Sequence, residues 1–171
     1  MNSFNDLLLL HKELDEMFFE HQRALLSGNW EGSLRKLEDY ERALEEHIHD
    51  EEEVLLPIYA ARVEPPIGGT VEIFINEHRK IREYLPLFKA ELKKFFAVDD
   101  RERAIIFLID SQTIFKKLMV HHDTRERKFL YALLDEATSP MERREIFTRL
   151  RLRPGESTVE NVAIRSNSFT K

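Results

Sequence analysis

The sequence predicts an all-α protein that folds as an up-down-up-down antiparallel four-helix bundle. Apolar side chains recur at steps of three and four residues along four segments, which is the period of an α-helix with one buried face. Glycine is scarce, at five of 171 residues, and 34% of the residues are charged while 42% are apolar. The connections are short, so neighbouring helices are expected to run antiparallel around one core.

The first two predicted helices end at residues that commonly stop a helix. An apolar stripe covers residues 4–25, and the chain then reaches Gly28, which favours the backbone conformation found just past a helix end. The second stripe covers residues 37–58 and ends before the segment VEPPIGG, whose prolines and glycines indicate a turn.

The third and fourth predicted helices follow the same pattern. The third stripe covers residues 71–95 and contains Pro86, which is expected to kink the helix or interrupt one backbone hydrogen bond. Asp99 or Asp100 is placed to cap the fourth helix, whose stripe covers residues 105–133.

Three parts of the chain are expected on this basis. Residues 1–138 form the bundle. Residues 139–153 predict a short additional helix, with Ser139 as its cap and Pro140 in its first turn. Residues 154–171 are polar and aperiodic and predict a flexible tail, in which residues 162–164 could contact a protein partner.

Composition narrows the function classes. A net charge of −6 argues against nucleic acid as a partner, and the absence of cysteine excludes disulfides, thiolate metal sites and iron–sulfur clusters. The apolar run at residues 7–10 is too short to span a membrane, and no signal-peptide pattern surrounds it. We therefore expect a cytoplasmic protein without a membrane partner.

Two segments of the chain repeat an H-x-x-x-E pattern. His47 pairs with Glu51 in HIHDEEEVLLP, and His122 pairs with Glu126 in HHDTRERKFLYA. A four-residue step places both side chains on one face of a helix, about one turn apart. An imidazole and a carboxylate on one face can provide half of a metal site, and two such halves suggest a complete one.

The first and third stripes each add one histidine. His11 and His78 occupy apolar positions of these stripes, so that each of the four helices carries one histidine toward the core. Buried glutamate is almost never unpaired, and six polar side chains at core positions require a common explanation. These candidate metal-binding residues are His11, His47, Glu51, His78, His122 and Glu126.

Two interpretations compete for these six side chains. The first is a hydrogen-bonded network of histidine and glutamate in an otherwise ordinary bundle. The second is a metal centre, which would satisfy all of them at once. Six nitrogen and oxygen ligands are too many for one tetrahedral zinc ion and suit two divalent ions that share bridging carboxylates, with iron or manganese favoured and zinc possible.

In this order the motifs resemble the hemerythrin-like, HHE cation-binding domains over residues 4–136. The matching pieces are the lone His11, the two H-x-x-x-E segments and EHRKIR around His78. The resemblance implies a helical bundle around a non-haem diiron centre. It also implies that the six residues named above are its ligands, with Glu51 and Glu126 bridging the two iron ions.

The sequence departs from the oxygen-carrying members of this family at two positions. Arg82 stands where the carriers have a second histidine on the third helix, and Arg127 stands where they have a bridging aspartate, so that Glu126 takes that role one residue earlier. The site then has four histidines rather than five. This predicts that the protein is not an efficient oxygen carrier.

The other histidines are predicted to lie outside the site. His49 falls off its stripe and is expected to be solvated, and His121 is expected to face a groove or solvent. His21 falls on the first stripe near the end of the bundle and is expected to be a partly exposed cap.

Glutamates and tyrosines near the stripes have simpler expected roles. Glu45, Glu46 and Glu52 are predicted to be solvated, although Glu46 flanks His47 and could accept a hydrogen bond from it. Tyr131, like the other tyrosines near the stripes, is expected to pack in the core with a partner for its hydroxyl group.

We expect a binding or sensing protein whose ligand is dioxygen, nitric oxide or iron itself. The alternatives are a small diiron oxidase or peroxidase, and a structural bundle with zinc or no metal. No segment suggests a substrate-orienting loop, which favours binding over catalysis.

Overall fold

The computed structural model of the protein describes residues 2–95 and 98–156, and the regular structure within them is helical throughout, with no strand. A 3₁₀ turn, Phe4–Leu7, comes first, and two π-helical segments, Glu51–Leu55 and Glu126–Tyr131, interrupt the α-helices. The α-helices are α1 (Leu8–Leu26), α2 (Trp30–Asp50), α3 (Leu56–Arg62), α4 (Val71–Lys94), α5 (Arg101–Ser111), α6 (Thr113–Arg125), α7 (Ala132–Ala137) and α8 (Pro140–Arg149).

Local sequence signals fix several of the helix ends. Gly28 has a φ of 73°, which an L side chain rarely adopts, and the Asn29 side chain then caps α2. The side chain of Asp100, one of the two residues predicted as the cap of the fourth helix, caps α5. Ser139 caps α8 and Pro140 occupies its first position, which confirms that prediction.

Pro86 lies inside α4 and removes one backbone donor, in agreement with the prediction, and the helix continues to Lys94 because its buried stripe holds it together. Two other helices differ from the prediction. The fourth helix is not continuous: it divides at Gln112 into α5 and α6 and becomes π-helical from Glu126. The additional helix α8 ends at Arg149, a few residues earlier than expected.

The two π-helical segments begin at equivalent positions of the internal repeat. One starts at Glu51 and the other at Glu126, the final residue of each H-x-x-x-E pattern. A π-helical turn contains an extra residue, so it turns the side chains that follow it toward new neighbours, and such turns are frequent at functional sites. The α-helical spacing of four residues therefore holds for the residues before Glu51 and Glu126, but not for those that follow them.

The six candidate residues lie between two apolar clusters of the core. Along α2 and the segment after it, Leu44 belongs to one cluster and Leu55 to the next, with His47 and Glu51 between them. Aromatic rings fill both clusters, and Tyr131 belongs to the second. The apolar packing on either side holds the polar residues away from water.

The residues after α8 fold back onto α2. Both carboxylate oxygens of Asp50 accept backbone N–H groups, from Arg151 and Leu152, each at 2.9 Å. Leu152 is buried in the first of these clusters, and Gly155 donates its N–H to Glu13. The remainder of the predicted tail, including the possible partner segment at 162–164, lies outside the described residues.

Helices long and apolar enough to cross a membrane do not occur among residues 2–95 and 98–156. The cytoplasmic location stays a prediction, as do the boundaries at residues 138 and 153.

Candidate metal centre

The structure brings the six candidate residues together in the core. His11 comes from α1, His47 from α2, His78 from α4 and His122 from α6, and all are at most 6% exposed. The two glutamates start the π-helical segments and are 0% exposed. Ligand atoms within 4.8 Å of one another form two groups that share both glutamates: His11, His47, Glu51 and Glu126, and Glu51, His78, His122 and Glu126.

Two of the three spacings in the first group suit ligands of one ion, and the third is slightly longer. Metal bonds of about 2.0–2.2 Å to nitrogen or oxygen place two ligands of one ion roughly 3.0–3.4 Å apart. His11 Nε2 lies 3.1 Å from His47 Nε2 and 3.3 Å from Glu126 Oε2. His47 Nε2 lies 3.8 Å from Glu51 Oε1. Two imidazole nitrogens this close must share a proton or aim their lone pairs at a common ion.

The second group is arranged in the same way. His78 Nε2 lies 3.2 Å from Glu51 Oε2 and 3.8 Å from Glu126 Oε1. His122 Nε2 lies 2.7 Å from Glu126 Oε1. Each glutamate therefore reaches histidines of both groups, which is the geometry required of a bridging carboxylate.

Several buried atoms of these residues have no hydrogen-bond partner among the described residues. Their neighbours are close enough, but the angles are unfavourable, so nitrogen and oxygen face a shared point more than one another. Buried polar atoms are costly unless they are satisfied, and a cation at the shared point would satisfy them. These atoms are Glu51 Oε2, His78 Nε2, His122 Nε2 and both carboxylate oxygens of Glu126. His11 Nδ1 also has no hydrogen bond, but it is not one of the converging atoms and lies 3.6 Å from Asp123 Oδ1.

A carboxylate orients the imidazole of His78. His78 Nδ1 lies 3.0 Å from Glu52 Oε1, and Arg82 lies 2.8 Å from the same oxygen. Burial raises the pKa of Glu52, but the hydrogen bonds from His78 and Arg82 outweigh burial and lower this pKa to about 2. An ionised acceptor keeps a proton on Nδ1 and leaves Nε2 facing the centre, as in many metal sites.

His122 has an equivalent partner. His122 Nδ1 lies 3.1 Å from Glu77 Oε2, and Arg125 Nε donates to the other oxygen at 3.0 Å. Arg125 also donates to the backbone carbonyl of Gly68 at 2.5 Å, which ties this carboxylate to the turn before α4. Burial raises the pKa of Glu77, but His122 and Arg125 outweigh burial and lower this pKa. The Glu77 carboxylate is therefore ionised as well.

Tyr131 completes the first group. Its hydroxyl donates to Glu51 Oε1 at 2.5 Å and lies 3.1 Å from His11 Nε2. Burial, followed by the charges of Glu126 and Glu51, raises the pKa of Tyr131 well above its ordinary value. The phenol therefore stays protonated and donates a hydrogen bond beside the proposed ligands.

Burial lowers the pKa of His11, His47 and His78 alike, but nearby carboxylates reverse this shift at His78. The pKa of both His11 and His47 stays low, so both imidazoles are neutral and carry a lone pair. Burial opposes protonation of His78 too, but the approach of Glu126 and two other carboxylates raises that pKa to about 10. Without a metal, the second group therefore holds a proton at His78.

The pKa values of the two buried glutamates also shift in opposite directions. Burial and the neighbouring charge of Glu51 raise the pKa of Glu126 well above its ordinary value. Burial opposes ionisation of Glu51 as well, but His47 and His78 lower its pKa. A divalent ion would displace the protons on Glu126 and His78, so metal binding should release protons.

Several predictions about nearby residues were wrong. His21 is 0% exposed rather than a partly exposed cap. Glu52 is half-buried on His78 rather than solvated, and Glu46 lies 3.6 Å from Arg151 instead of accepting from His47. At the position where the carriers have their additional histidine, Arg82 pairs with Glu45 and Glu52.

Other expectations agree with the structure. His121 is exposed, and neither His49 nor His121 belongs to a group of candidate ligands, although His49 is half-buried rather than solvated. Tyr131 is in the core with a partner for its hydroxyl, as expected, although that partner belongs to the centre. Sequence reasoning did not single out Glu77, and its position directly before His78 gives no sign that it faces His122.

The helical fold and the histidine–glutamate groups define a class of cation-binding helical proteins. The model of the hemerythrin HHE cation binding domain matches residues 3–134, and the chain belongs to this family. Searches of curated proteins and of solved structures gave no significant match.

Proposed function

We propose that the protein binds two non-haem metal ions, iron in the first place, and that the centre binds dioxygen, nitric oxide or iron itself as its physiological ligand. The observation that carries this is the set of buried nitrogen and oxygen atoms that converge on a shared point without hydrogen bonds. A satisfied hydrogen-bond network, the competing interpretation, would not leave the five converging atoms of Glu51, His78, His122 and Glu126 in this state.

Each ion would have its own pair of histidines. His11 and His47 would hold one ion, His78 and His122 would hold the other, and the two shared glutamates would bridge them. The chemistry that such ions supply is binding of a small ligand at an open coordination position. An up-down-up-down bundle, with α5, α6 and α7 together as its fourth helix, is the arrangement we propose around them.

The surrounding residues orient the centre. Glu52 and Glu77 fix the tautomers of two histidines, and Tyr131 holds Glu51 through its hydroxyl proton. The donors are imidazole and carboxylate alone, because the chain contains no cysteine. This donor set suits iron or manganese better than a structural zinc.

Arg82 supports the prediction that oxygen carriage is inefficient. Its guanidinium offers no lone pair, and it is engaged by Glu45 and Glu52. The second ion would therefore lack the additional histidine of the carriers. Air should oxidise the reduced protein irreversibly, or remove its metal, rather than give a colour change that vacuum reverses.

Metal analysis of anaerobically purified protein tests the proposal. We expect about two iron ions per chain and an optical spectrum that changes on exposure to air. Protein that is fully folded, contains no metal and takes up neither iron nor manganese would contradict it and favour the hydrogen-bond network. Full recovery of the reduced spectrum under vacuum, over repeated cycles, would contradict the statement on carriage.

Tyr131 favours a second candidate function, a small oxidase or peroxidase. A buried phenol 2.5 Å from a proposed bridging carboxylate is placed to supply a proton or an electron. If the protein is a peroxidase, the iron-loaded form should consume hydrogen peroxide, and Tyr131→Phe should slow this at least about tenfold without loss of metal. No consumption above that of free iron would exclude this candidate.

A further inference from the structure

A small cavity lies against the proposed metal centre. Its volume is about 10 Å³, which is about the room that one water molecule requires. His11, His47 and His122 line it, together with Leu14 of α1 and Asp123 of α6. A molecule in this cavity would contact histidines of both groups.

A larger cavity lies beside it and opens to the surface between α1 and α6. Its volume is about 310 Å³. Phe18, Phe19, Phe115 and Val120 line it, and Phe19 and Val120 are 53% and 65% exposed. An apolar lining of this kind favours a small apolar molecule over a hydrated ion.

Three residues line both cavities: Asp15, Tyr40 and Met119. Tyr40 is buried and fixed by the core, whereas Met119 is half-buried and has an unbranched, flexible side chain. Asp15 is exposed at this boundary. The other charged residues that line the cavities are Asp123 in the inner one and Lys116 in the outer one. The charged groups of the inner cavity, next to the centre, are therefore the carboxyl groups of Asp15 and Asp123.

We propose that the two cavities are the access route by which a small neutral molecule reaches the metal centre, with Met119 as its gate and Asp15 as a negative charge that disfavours anions. This rests on the proposed function, because the route leads to the six proposed ligands. It deepens that function by naming a class of ligand: neutral diatomic molecules in preference to anions.

A bulky substitution at the gate provides the first test. In the iron-loaded, reduced protein, Met119→Trp should slow nitric oxide association at least about tenfold, as followed by stopped-flow absorbance. Dissociation should slow by the same factor, since a gate changes both rates and leaves the equilibrium constant unaltered. Met119→Ala should increase both rates.

Leu118→Trp is the matched control. Leu118 is the preceding residue of α6, is also half-buried and packs on the same core cluster, but it lines a different cavity on the α4 side. It should leave both nitric oxide rates within about twofold of those of the unmodified protein. Equal slowing by both tryptophans, or none by Met119→Trp with no acceleration in Met119→Ala, would overturn the route.

A charge substitution provides the second test. Asp15→Asn should increase the association rate of azide, an anion, by about threefold at low ionic strength, and salt should reduce this difference. The nitric oxide rate should not change. An unchanged azide rate would overturn the role of Asp15. It would not bear on Met119, whose role the tryptophan variants test.

The two levels of the proposal fail differently. Iron-loaded protein that binds neither nitric oxide nor azide would overturn the proposed gas-binding function, and the route with it. Normal equilibrium binding with rates that do not respond to Met119 would overturn the route alone.

Discussion

Two buried histidines on the same helix, His21 and His11, have opposite environments. His21 is satisfied on both sides: its Nδ1 donates to the backbone carbonyl of Ser33 at 2.8 Å, and its Nε2 accepts from the Gln112 amide at 2.9 Å. His11 has no hydrogen bond at Nδ1 within the described part of the chain, and its Nε2 faces a second imidazole Nε2 at 3.1 Å. Burial of a histidine is therefore common to a structural network and to a candidate metal site.

The difference lies in hydrogen bonding and charge. The His21 network contains only neutral partners, and Gln22 completes it by donating to Gln112 at 2.8 Å. The centre around His11 contains two buried glutamates, and several of its buried nitrogen and oxygen atoms have no hydrogen-bond partner among the described residues. Buried polar atoms that converge without bonding are the better indicator of a ligand.

Removal of a bridging carboxylate should have the largest effect. Glu51→Ala or Glu126→Ala should lower the metal content from about two ions per chain toward one or none, because each carboxylate would contact both ions. Metal analysis of purified variants measures this. His49→Ala and His121→Ala are the controls and should keep the full content; loss of metal in either would contradict the assignment of helix faces.

Metal removal should destabilise the fold. A ligand at a hundred times its dissociation constant stabilises a protein by about 2.7 kcal/mol, so chelation should lower the melting temperature clearly. An unchanged melting curve after complete metal removal would place the centre in the same category as the His21 network.

Acid should have the same effect as chelation. His11 and His47 have a pKa below the ordinary 6.5 in the folded protein, so their contribution to stability is present above pH 6.5 and is lost as the pH falls through their folded values. Protonation also removes the lone pairs that bind metal. Melting temperature and metal content should fall together below about pH 6.5; metal that stays bound at pH 4 would contradict the assignment.

His21→Ala should separate stability from metal binding. The substitution removes the imidazole that accepts from the buried Gln112 amide and donates to the Ser33 carbonyl, which should lower the free energy of unfolding by about 2 kcal/mol. Denaturant unfolding measures this. The metal content should not change, and a loss of metal comparable to that in Glu51→Ala would show that the two regions are coupled.

The sequence predicts the centre better than its surroundings. The stripes place one histidine on each of four helical segments, and the structure brings those four and both glutamates together, although their role as ligands stays a prediction. The outer partners were not predicted, because Glu52 and Glu77 lie beside ligand positions in the sequence but face histidines of other helices. Which helices face each other depends on packing, not on local spacing.

The fold shows the same limit. Caps at Asn29, Asp100 and Ser139 act locally, and two of them could be predicted from single residues. The division at Gln112 coincides with a tertiary contact, the amide bonded to His21. The π-helical turns at Glu51 and Glu126 also have no local signature, because they aim side chains at residues far away in the sequence.

The smallest predicted effect concerns the outer carboxylates. Glu52→Gln should weaken metal binding by about tenfold, because outer partners of ligating histidines typically contribute 10- to 100-fold. Glutamine retains an acceptor for His78 Nδ1 but removes the charge that makes the imidazole a better ligand. Glu45→Gln is the matched control, since Glu45 also pairs with Arg82 but its side chain is 53% exposed and contacts no proposed ligand. Competition with a chelator measures both affinities. Equal weakening by the two substitutions would show that Arg82, and not the orientation of His78, connects these carboxylates to the metal.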